Sequence, residues 1–175
     1  PLVSLADQQS DPDGFAQAFG GSFERFGFAM VADHGIDPAL IERAWALTEQ
    51  FFKLPEEEKR GYHQPGGGGA RGYTPFGLEI AKDATENDLK EFWHIGRELP
   101  ADHRFRAVMA DNVWPSAPEG FRETFTELFA ALDTAGLKLL SSKDAKKVYT
   151  HTTAAVLRAK ECVMTTSTKI KESAD

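Results

Sequence analysis

The chain has 175 residues, of which 41% are hydrophobic, and a formal net charge of −7. This length predicts one domain, or one domain and part of another, with a core that needs no disulfide or structural metal. The acidic balance argues against nucleic acid or an anionic membrane surface as the main partner. No apolar run is long enough for a membrane span, and the first residues lack the features of a signal peptide. The single Cys162 excludes an internal disulfide and predicts a cytoplasmic location.

The composition changes near residue 142. Residues 143–175 contain seven basic and four acidic side chains, a net charge of +3, which leaves −10 for residues 1–142. All phenylalanines and tryptophans precede residue 130. We therefore predict a main region at residues 1–142 and a Lys/Thr-rich tail of unknown role at residues 143–175.

The N-terminal part of the sequence predicts a helix followed by a strand. The helix begins at Asp11-Pro12, and Gly20-Gly21 predicts that it is weak or broken. Its apolar stripe consists of three phenylalanines at four-residue spacing, Phe15, Phe19 and Phe23. Residues 26–32 are nearly all apolar, which is typical of a strand covered on both faces. Such a strand needs partners, so we expect either pairing with the β-forming runs at 148–153 and 162–166 or self-association through its edge.

Two amphipathic helices and a second strand are predicted further along. The clearest helix begins at Asp37-Pro38, and a short acidic turn begins at Pro55. Residues 91–95 predict a strand, and a long helix is predicted to start near Glu119. The apolar face of the first of these helices comprises Leu40, Ile41, Ala44, Trp45, Thr48, Phe51 and Phe52. Together these elements indicate a mixed α+β fold.

Residues 61–77 contain seven glycines and two prolines, which predicts a long loop. Gly67 to Gly72 matches the G-x-G-x-x-G pattern of dinucleotide sites, but that site needs a strand before it and a helix after it. Neither context is present, so a flexible or ligand-binding loop is the better interpretation.

The histidines do not form a recognisable metal site. None is followed two positions later by a carboxylate, the local half of a facial iron triad, and no pair has helical zinc spacing. We therefore assign no catalytic or metal-ligating residue. His34 is expected to bond to nearby backbone, His94 to pack in a strand, and His63 and His103 to be solvated.

Arg71 and Tyr73 are the candidate substrate-binding residues. Small neighbours allow a ligand to approach Arg71, and its planar guanidinium can hold a carboxylate through two hydrogen bonds. The alternative is a solvated loop arginine, with Tyr73 covering the edge of the core. Residues 88–91 could fix the loop through ion pairs.

Four blocks of sequence within residues 22–97 carry a family resemblance. They are Phe26-Gly27-Phe28 with Asp33-His34-Gly35-Ile36, Phe51-Phe52-Lys53-Leu54-Pro55-Glu56-Glu57-Glu58-Lys59, Arg71-Gly72-Tyr73, and Asp88-Leu89-Lys90-Glu91-Phe92. Together they resemble the N-terminal region of the iron(II)/2-oxoglutarate-dependent dioxygenases related to isopenicillin N synthase. The predicted helix at residues 121–140 is similar to the one that leads into that family's catalytic half.

The resemblance implies an oxidoreductase whose catalytic half is a double-stranded β-helix. In that half His-x-Asp and a distant His hold Fe(II), and Arg-x-Ser binds 2-oxoglutarate. Arg71 matches the position from which some members reach a substrate carboxylate, and Tyr73 lies on the same loop. A small-molecule substrate, Fe(II) and 2-oxoglutarate are therefore implied.

The sequence departs from the family after Ser142. His151 lacks the following acid, and Arg158 is followed by Ala159-Lys160 in place of Arg-x-Ser. We therefore expect an N-terminal portion that lacks most of the catalytic barrel and has no turnover on its own, through truncation, frameshift or fusion. The alternative is a stand-alone, non-catalytic module that binds small carboxylates or acts as a scaffold.

Overall fold

The computed structural model describes residues 2–80 and 85–140 and the backbone of residues 163–164. Within these residues the elements are β1 (Leu2–Ser4), α1 (Asp7–Ser10), α2 (Pro12–Phe26), β2 (Met30–Ala32), α3 (Pro38–Phe52), α4 (Glu56–Arg60), β3 (Gly72–Thr74), β4 (Phe92–His94), α5 (Phe121–Leu140) and β5 (Val163–Met164). They divide into a first unit of residues 2–44 and 123–140 and a second of residues 45–80, 85–122 and 163–164. The mixture of helices and short strands confirms the mixed α+β prediction. In the part of the chain that the structure describes, every helix is too short or too polar to cross a bilayer.

The first unit is built on a parallel pair of strands, β1 and β2, with Val3 opposite Val31. The predicted phenylalanine stripe of α2 packs in this unit, and the rings of Phe15 and Phe19 stack with their centroids 5.7 Å apart. The buried centre of the unit consists of Val3, Leu5, Phe15 and Phe19.

Helix α2 is continuous, so the predicted break at Gly20-Gly21 is wrong. The Asp11 carboxylate accepts a hydrogen bond from the Gly14 amide at 3.0 Å, which caps the first turn. At the other end Gly27 adopts φ 75° and its amide donates to the Phe23 carbonyl. The two caps and the buried phenylalanines outweigh the low helix propensity of the two glycines.

The predicted strand at residues 26–32 is shorter and less buried than expected. Residue 26 ends α2, and only Met30–Ala32 is a strand. Phe28 and Met30 are 59% and 55% exposed, because alternate side chains of a strand point to opposite faces and the core covers only the face of Val31. Of the candidate partner runs, 162–166 supplies β5, which pairs with β4 and not with β2. The run at 148–153 lies outside the described residues, as does the rest of the tail.

The second unit holds an aromatic cluster beside an antiparallel sheet of order β3-β4-β5. Phe51, from the C-terminal turn of α3, is fully buried and contacts the other members edge-on or at a tilt. The members of the cluster are Phe51, Tyr62, Tyr73, Trp93 and Phe121. Trp45 was predicted on the apolar face of α3 but is 64% exposed, because the buried stripe is narrower than the pattern indicated.

Candidate functional site

The glycine-rich loop leads into β3, and Gly72 sets the direction in which the chain leaves the loop. Gly72 has φ +74°, and a Cβ atom there would lie 2.7 Å from the Tyr62 carbonyl oxygen and 3.1 Å from Cβ of Val113. Both the backbone angle and the close packing therefore require glycine. Since β3 follows the loop directly, the helix required by a dinucleotide fingerprint is not present in this place. The loop instead presents Arg71 at the start of a buried strand.

The Arg71 guanidinium is folded against the backbone of Gly96. A Cβ atom at Gly96 would overlap Cζ of Arg71, so only glycine permits this position. Nη1 donates to the Ala70 carbonyl at 2.6 Å. Nε is buried and has no hydrogen-bond acceptor among the described residues. A buried donor without an acceptor costs about 1–3 kcal/mol, so this arrangement leaves a charged group that an incoming anion would stabilise.

Asn112 fixes the segment against which Arg71 packs. Its side-chain oxygen accepts from the Gly96 amide at 2.8 Å, and its amide nitrogen donates to the Gly96 carbonyl at 2.8 Å. This pair of hydrogen bonds imitates the pairing of two strands and holds Gly96 in place. No local pattern in the sequence indicates this contact, because the partner of Asn112 lies sixteen residues earlier.

Tyr73 lies in a buried triad with Lys59 and Glu91. The Tyr73 hydroxyl donates to Oε2 of Glu91 at 2.5 Å, and the Lys59 ammonium donates to the same oxygen at 2.7 Å. Lys59 also donates to the Phe52 carbonyl at 3.2 Å. The side chains of Lys59 and Glu91 are 7% and 6% exposed. Such a buried pair is held in one geometry because losing either partner leaves an uncompensated charge.

The buried position of Tyr73 defines its role in the site. Burial, followed by the hydrogen bond to the Glu91 carboxylate, raises the pKa of the Tyr73 phenol far above its usual value. The residue is 0% exposed, so its hydroxyl is directed to the protein interior and not to a ligand on the loop surface. Tyr73 is therefore part of the buried core at β3, directly after Arg71 and the loop.

The triad unites three of the four blocks that carry the family resemblance. Lys59 ends the block that begins at Phe51, Tyr73 belongs to the Arg-Gly-Tyr block, and Glu91 belongs to the block at residues 88–92. The sequence indicated ion pairs around residues 88–91 but not this partner. Lys90 forms partly exposed ion pairs with Glu79 at 2.6 Å and with Asp88 at 3.1 Å, and neither partner lies in the loop.

A cavity of about 610 Å³ lies beside the loop. Its walls include loop glycines, the end of β3, residues 78–80 and Phe92 of β4. Thr74 lines it, is 3% exposed, and its Oγ1 has no hydrogen-bond partner within residues 2–80 and 85–140. The sequence did not single out Thr74, since a threonine in a strand is ordinary.

The four described histidines contact backbone groups. Nδ1 of His34 accepts from the Ile36 amide at 3.1 Å, which confirms its predicted backbone contact. Nδ1 of His94 on β4 contacts the Gly69 carbonyl. His63 is half-buried, with Nδ1 3.1 Å from the Tyr73 carbonyl, so the prediction that it is solvated is wrong. His103 is exposed, as expected.

The arrangement of the potential metal-ligating side chains does not fit an iron site in the described part of the chain. Within residues 2–80 and 85–140, no three His, Cys, Asp or Glu side chains come close enough together to hold a metal ion. The sequence agrees, since no histidine is followed two positions later by a carboxylate.

Family models match most of the sequence. A model described as "non-haem dioxygenase in morphine synthesis N-terminal" matches residues 1–117. A second model, described as a family of unknown function, matches residues 125–175.

Curated relatives are similar over part of their length. Flavone synthase from Petroselinum crispum is 35% identical over 146 residues, which cover 80% of this chain and 37% of the relative. The 2-oxoglutarate-dependent dioxygenase tropC from Talaromyces stipitatus is 32% identical over 114 residues, which cover 62% of this chain and 35% of the relative. The chain therefore spans little more than a third of these two relatives.

Solved structures share the fold. A protein from Caulobacter crescentus described as a member of the 2OG-Fe(II) oxygenase family superimposes with a TM-score of 0.72 and 48% identity, over 83% of this chain and 47% of that one. A full-length Neurospora crassa protein, solved in complex with alpha-KG, superimposes with a TM-score of 0.64 and 24% identity, over 82% of this chain and 46% of that one.

Proposed function

The chain belongs to the iron(II)/2-oxoglutarate-dependent dioxygenase family, and from this premise we propose that it is the N-terminal, substrate-loop-bearing portion of such an oxidoreductase. The chain covers about half of the Caulobacter crescentus protein, which supports the proposal that it is a portion lacking most of the catalytic barrel. The oxidation would need Fe(II) and 2-oxoglutarate bound by residues outside this chain. This chain alone is therefore proposed to bind substrate without turnover.

The buried Nε of Arg71, which has no acceptor among the described residues, carries the proposal. Because Nη1 is bonded to Ala70, the edge formed by Nε and Nη2 is the one left for a carboxylate, and this edge suits two parallel hydrogen bonds. Binding would draw the guanidinium away from Gly96 and give its buried donor an acceptor. Tyr73 would act only through the triad, by holding β3 in register beside the loop.

A thermal-shift titration with phenylacetate tests the carboxylate contact. We expect phenylacetate, but not the neutral phenylacetamide, to raise the melting temperature of the wild-type chain. Arg71→Gln should abolish the shift, and Arg71→Lys should retain little of it, because an ammonium lacks the planar fork. Arg104→Gln, at an exposed arginine elsewhere in the second unit, is the matched control. Equal shifts in the wild type and Arg71→Gln would overturn the assignment.

A non-catalytic binding or scaffold module is the second candidate. The observation that favours it is the lack of a three-donor metal cluster in the residues the structure describes. Incubating the purified chain with Fe(II) and 2-oxoglutarate tests both candidates, and metal-dependent consumption of 2-oxoglutarate would contradict the proposed inactivity. An intact family-like continuation in any frame of the gene would favour an oxygenase portion over a free-standing module.

A further inference from the structure

We propose that the cavity beside the glycine-rich loop is a subsite for a neutral aromatic ring system that carries a hydroxyl group. This proposal rests on the proposed function in one respect, which is that the ring system is taken to be part of the substrate. Binding to the cavity is a separate event from carboxylate capture by Arg71, which is not among the cavity-lining residues.

The size and apolar walls of the cavity indicate the ring system. Its volume of about 610 Å³ lies within the range of roughly 300–1,000 Å³ that is typical of small-molecule sites. Leu78 and Ile80, two of its lining residues, are 53% and 54% exposed, and Phe92 adds a ring from β4. A planar aromatic ligand would cover these exposed apolar side chains and gain hydrophobic free energy.

Thr74 supplies the polar contact that a hydroxyl group would complete. It is 3% exposed, and its Oγ1 has no partner in the described residues, which is uncommon for a buried hydroxyl. Gly69 packs closely over this oxygen, and a Cβ atom at position 69 would lie 3.1 Å from it, so a side chain there would crowd the hydroxyl. The hydroxyl of Thr74 can donate to a ligand oxygen.

His63 provides the complementary acceptor. The Tyr73 carbonyl can only accept, so Nδ1 of His63 is the donor in their contact. In the neutral imidazole Nε2 is then an acceptor. A phenolic hydroxyl both donates and accepts, so it can pair with an acceptor on His63 and a donor on Thr74, two side chains that line the same cavity.

The charges around the cavity favour a neutral ligand. Glu79 lines the cavity, and Lys90 binds its carboxylate at 2.6 Å, so this ion pair is already satisfied. The described residues that line the cavity include no lysine or arginine. An anionic ligand would meet a carboxylate there without a free cation to bind it.

Binding of 2-naphthol to the full chain, with naphthalene as the probe lacking the hydroxyl, tests the proposal. We expect saturable 2-naphthol binding by fluorescence titration and amide NMR shifts concentrated at residues 63–69 and 78–80. Thr74→Val keeps the size and β propensity of the side chain and removes only the hydroxyl. It should weaken 2-naphthol binding by about three- to tenfold, leave naphthalene binding unchanged, and leave the melting temperature unchanged or higher.

Two further variants test whether the probes bind in this cavity and independently of Arg71. Leu78→Asp should abolish binding of both probes, whereas Leu89→Asp, at a residue that is 85% exposed and does not line the cavity, should not. Arg71→Gln should retain 2-naphthol binding, so the carboxylate proposal and this one can fail independently. The absence of saturable binding, equal 2-naphthol affinity in Thr74→Val, or NMR shifts located elsewhere would overturn the proposal.

Discussion

Glu91→Gln should be among the most destabilising single substitutions in the second unit. The amide has nearly the shape of the carboxylate but no charge, so the Lys59 ammonium would remain buried with only the neutral Phe52 carbonyl and an amide oxygen as acceptors. Breaking a buried ion pair by neutralising one partner typically costs about 3–5 kcal/mol. Because the Gln side chain can still accept one hydrogen bond, we expect about 3 kcal/mol.

Two further variants separate the contribution of the Tyr73 hydrogen bond from that of the buried ion pair. Tyr73→Phe removes one hydrogen bond and leaves the ion pair intact, so it should cost about 1.5–3 kcal/mol and less than Glu91→Gln. The double variant Lys59→Met/Glu91→Leu removes both charges together. It should be more stable than Glu91→Gln, since apolar replacements of a buried pair are often neutral or stabilising.

Urea unfolding measured by tryptophan fluorescence provides the free energies, because Trp93 belongs to the aromatic cluster that also contains Tyr73. Glu49→Gln is the matched control. Glu49 pairs with Lys53 at 2.7 Å on the exposed face of α3, and its loss should leave the unfolding midpoint unchanged. A Glu91→Gln variant as stable as this control, or a double variant less stable than Glu91→Gln, would refute the reasoning.

Three further predictions concern pH, backbone strain and association. The pKa of Tyr73 is raised on folding, so its contribution to stability is fully present below pH 10 and is lost as the pH rises further. In urea titrations above pH 10, the free energy of unfolding of the wild type should fall by up to about 1.4 kcal/mol per pH unit more than that of Tyr73→Phe. Gly72→Ala should lower the free energy of unfolding by about 1–3 kcal/mol, whereas Gly21→Ala, whose Cβ meets nothing within 4 Å inside α2, should raise it by about 0.5–1 kcal/mol. If the exposed β2 edge promotes self-association, Phe28→Lys and Met30→Lys should lower the mass measured by light scattering at high concentration, and a monomeric wild type would contradict this.

Local patterns predicted the helices better than the strands. The start of α3 followed from Asp37-Pro38, since caps act within one turn. In contrast, β1 was not anticipated, because a three-residue strand has too short a pattern to be recognised and exists only through its pairing with β2. The strand predicted at residues 26–32 was too long for the same reason, because only Met30–Ala32 pairs with β1.

The site was predictable in outline but not in its connections. Arg71 was identified because its glycine neighbours are adjacent in sequence. The partnership of Lys59 and Glu91 crosses 32 residues, and the lack of a partner for the Thr74 hydroxyl among the described residues depends on what surrounds it in the fold. Both are properties of the folded chain, although Lys59, Tyr73 and Glu91 each lie in one of the blocks that carry the family resemblance.

The triad also affects how the sequence and length of the glycine-rich loop can differ between relatives. Lys59 precedes the loop and Tyr73 follows its glycine run, so the two ends of the segment between them are tied to one carboxylate, that of Glu91. Changes in loop length alter the entropy of closure only slowly, by about 0.6 kcal/mol for each doubling. Residues 64–69 can therefore be exchanged, lengthened or recombined between relatives while both attachment points remain in place. New ligand preferences can then arise from a segment whose replacement leaves the aromatic cluster undisturbed.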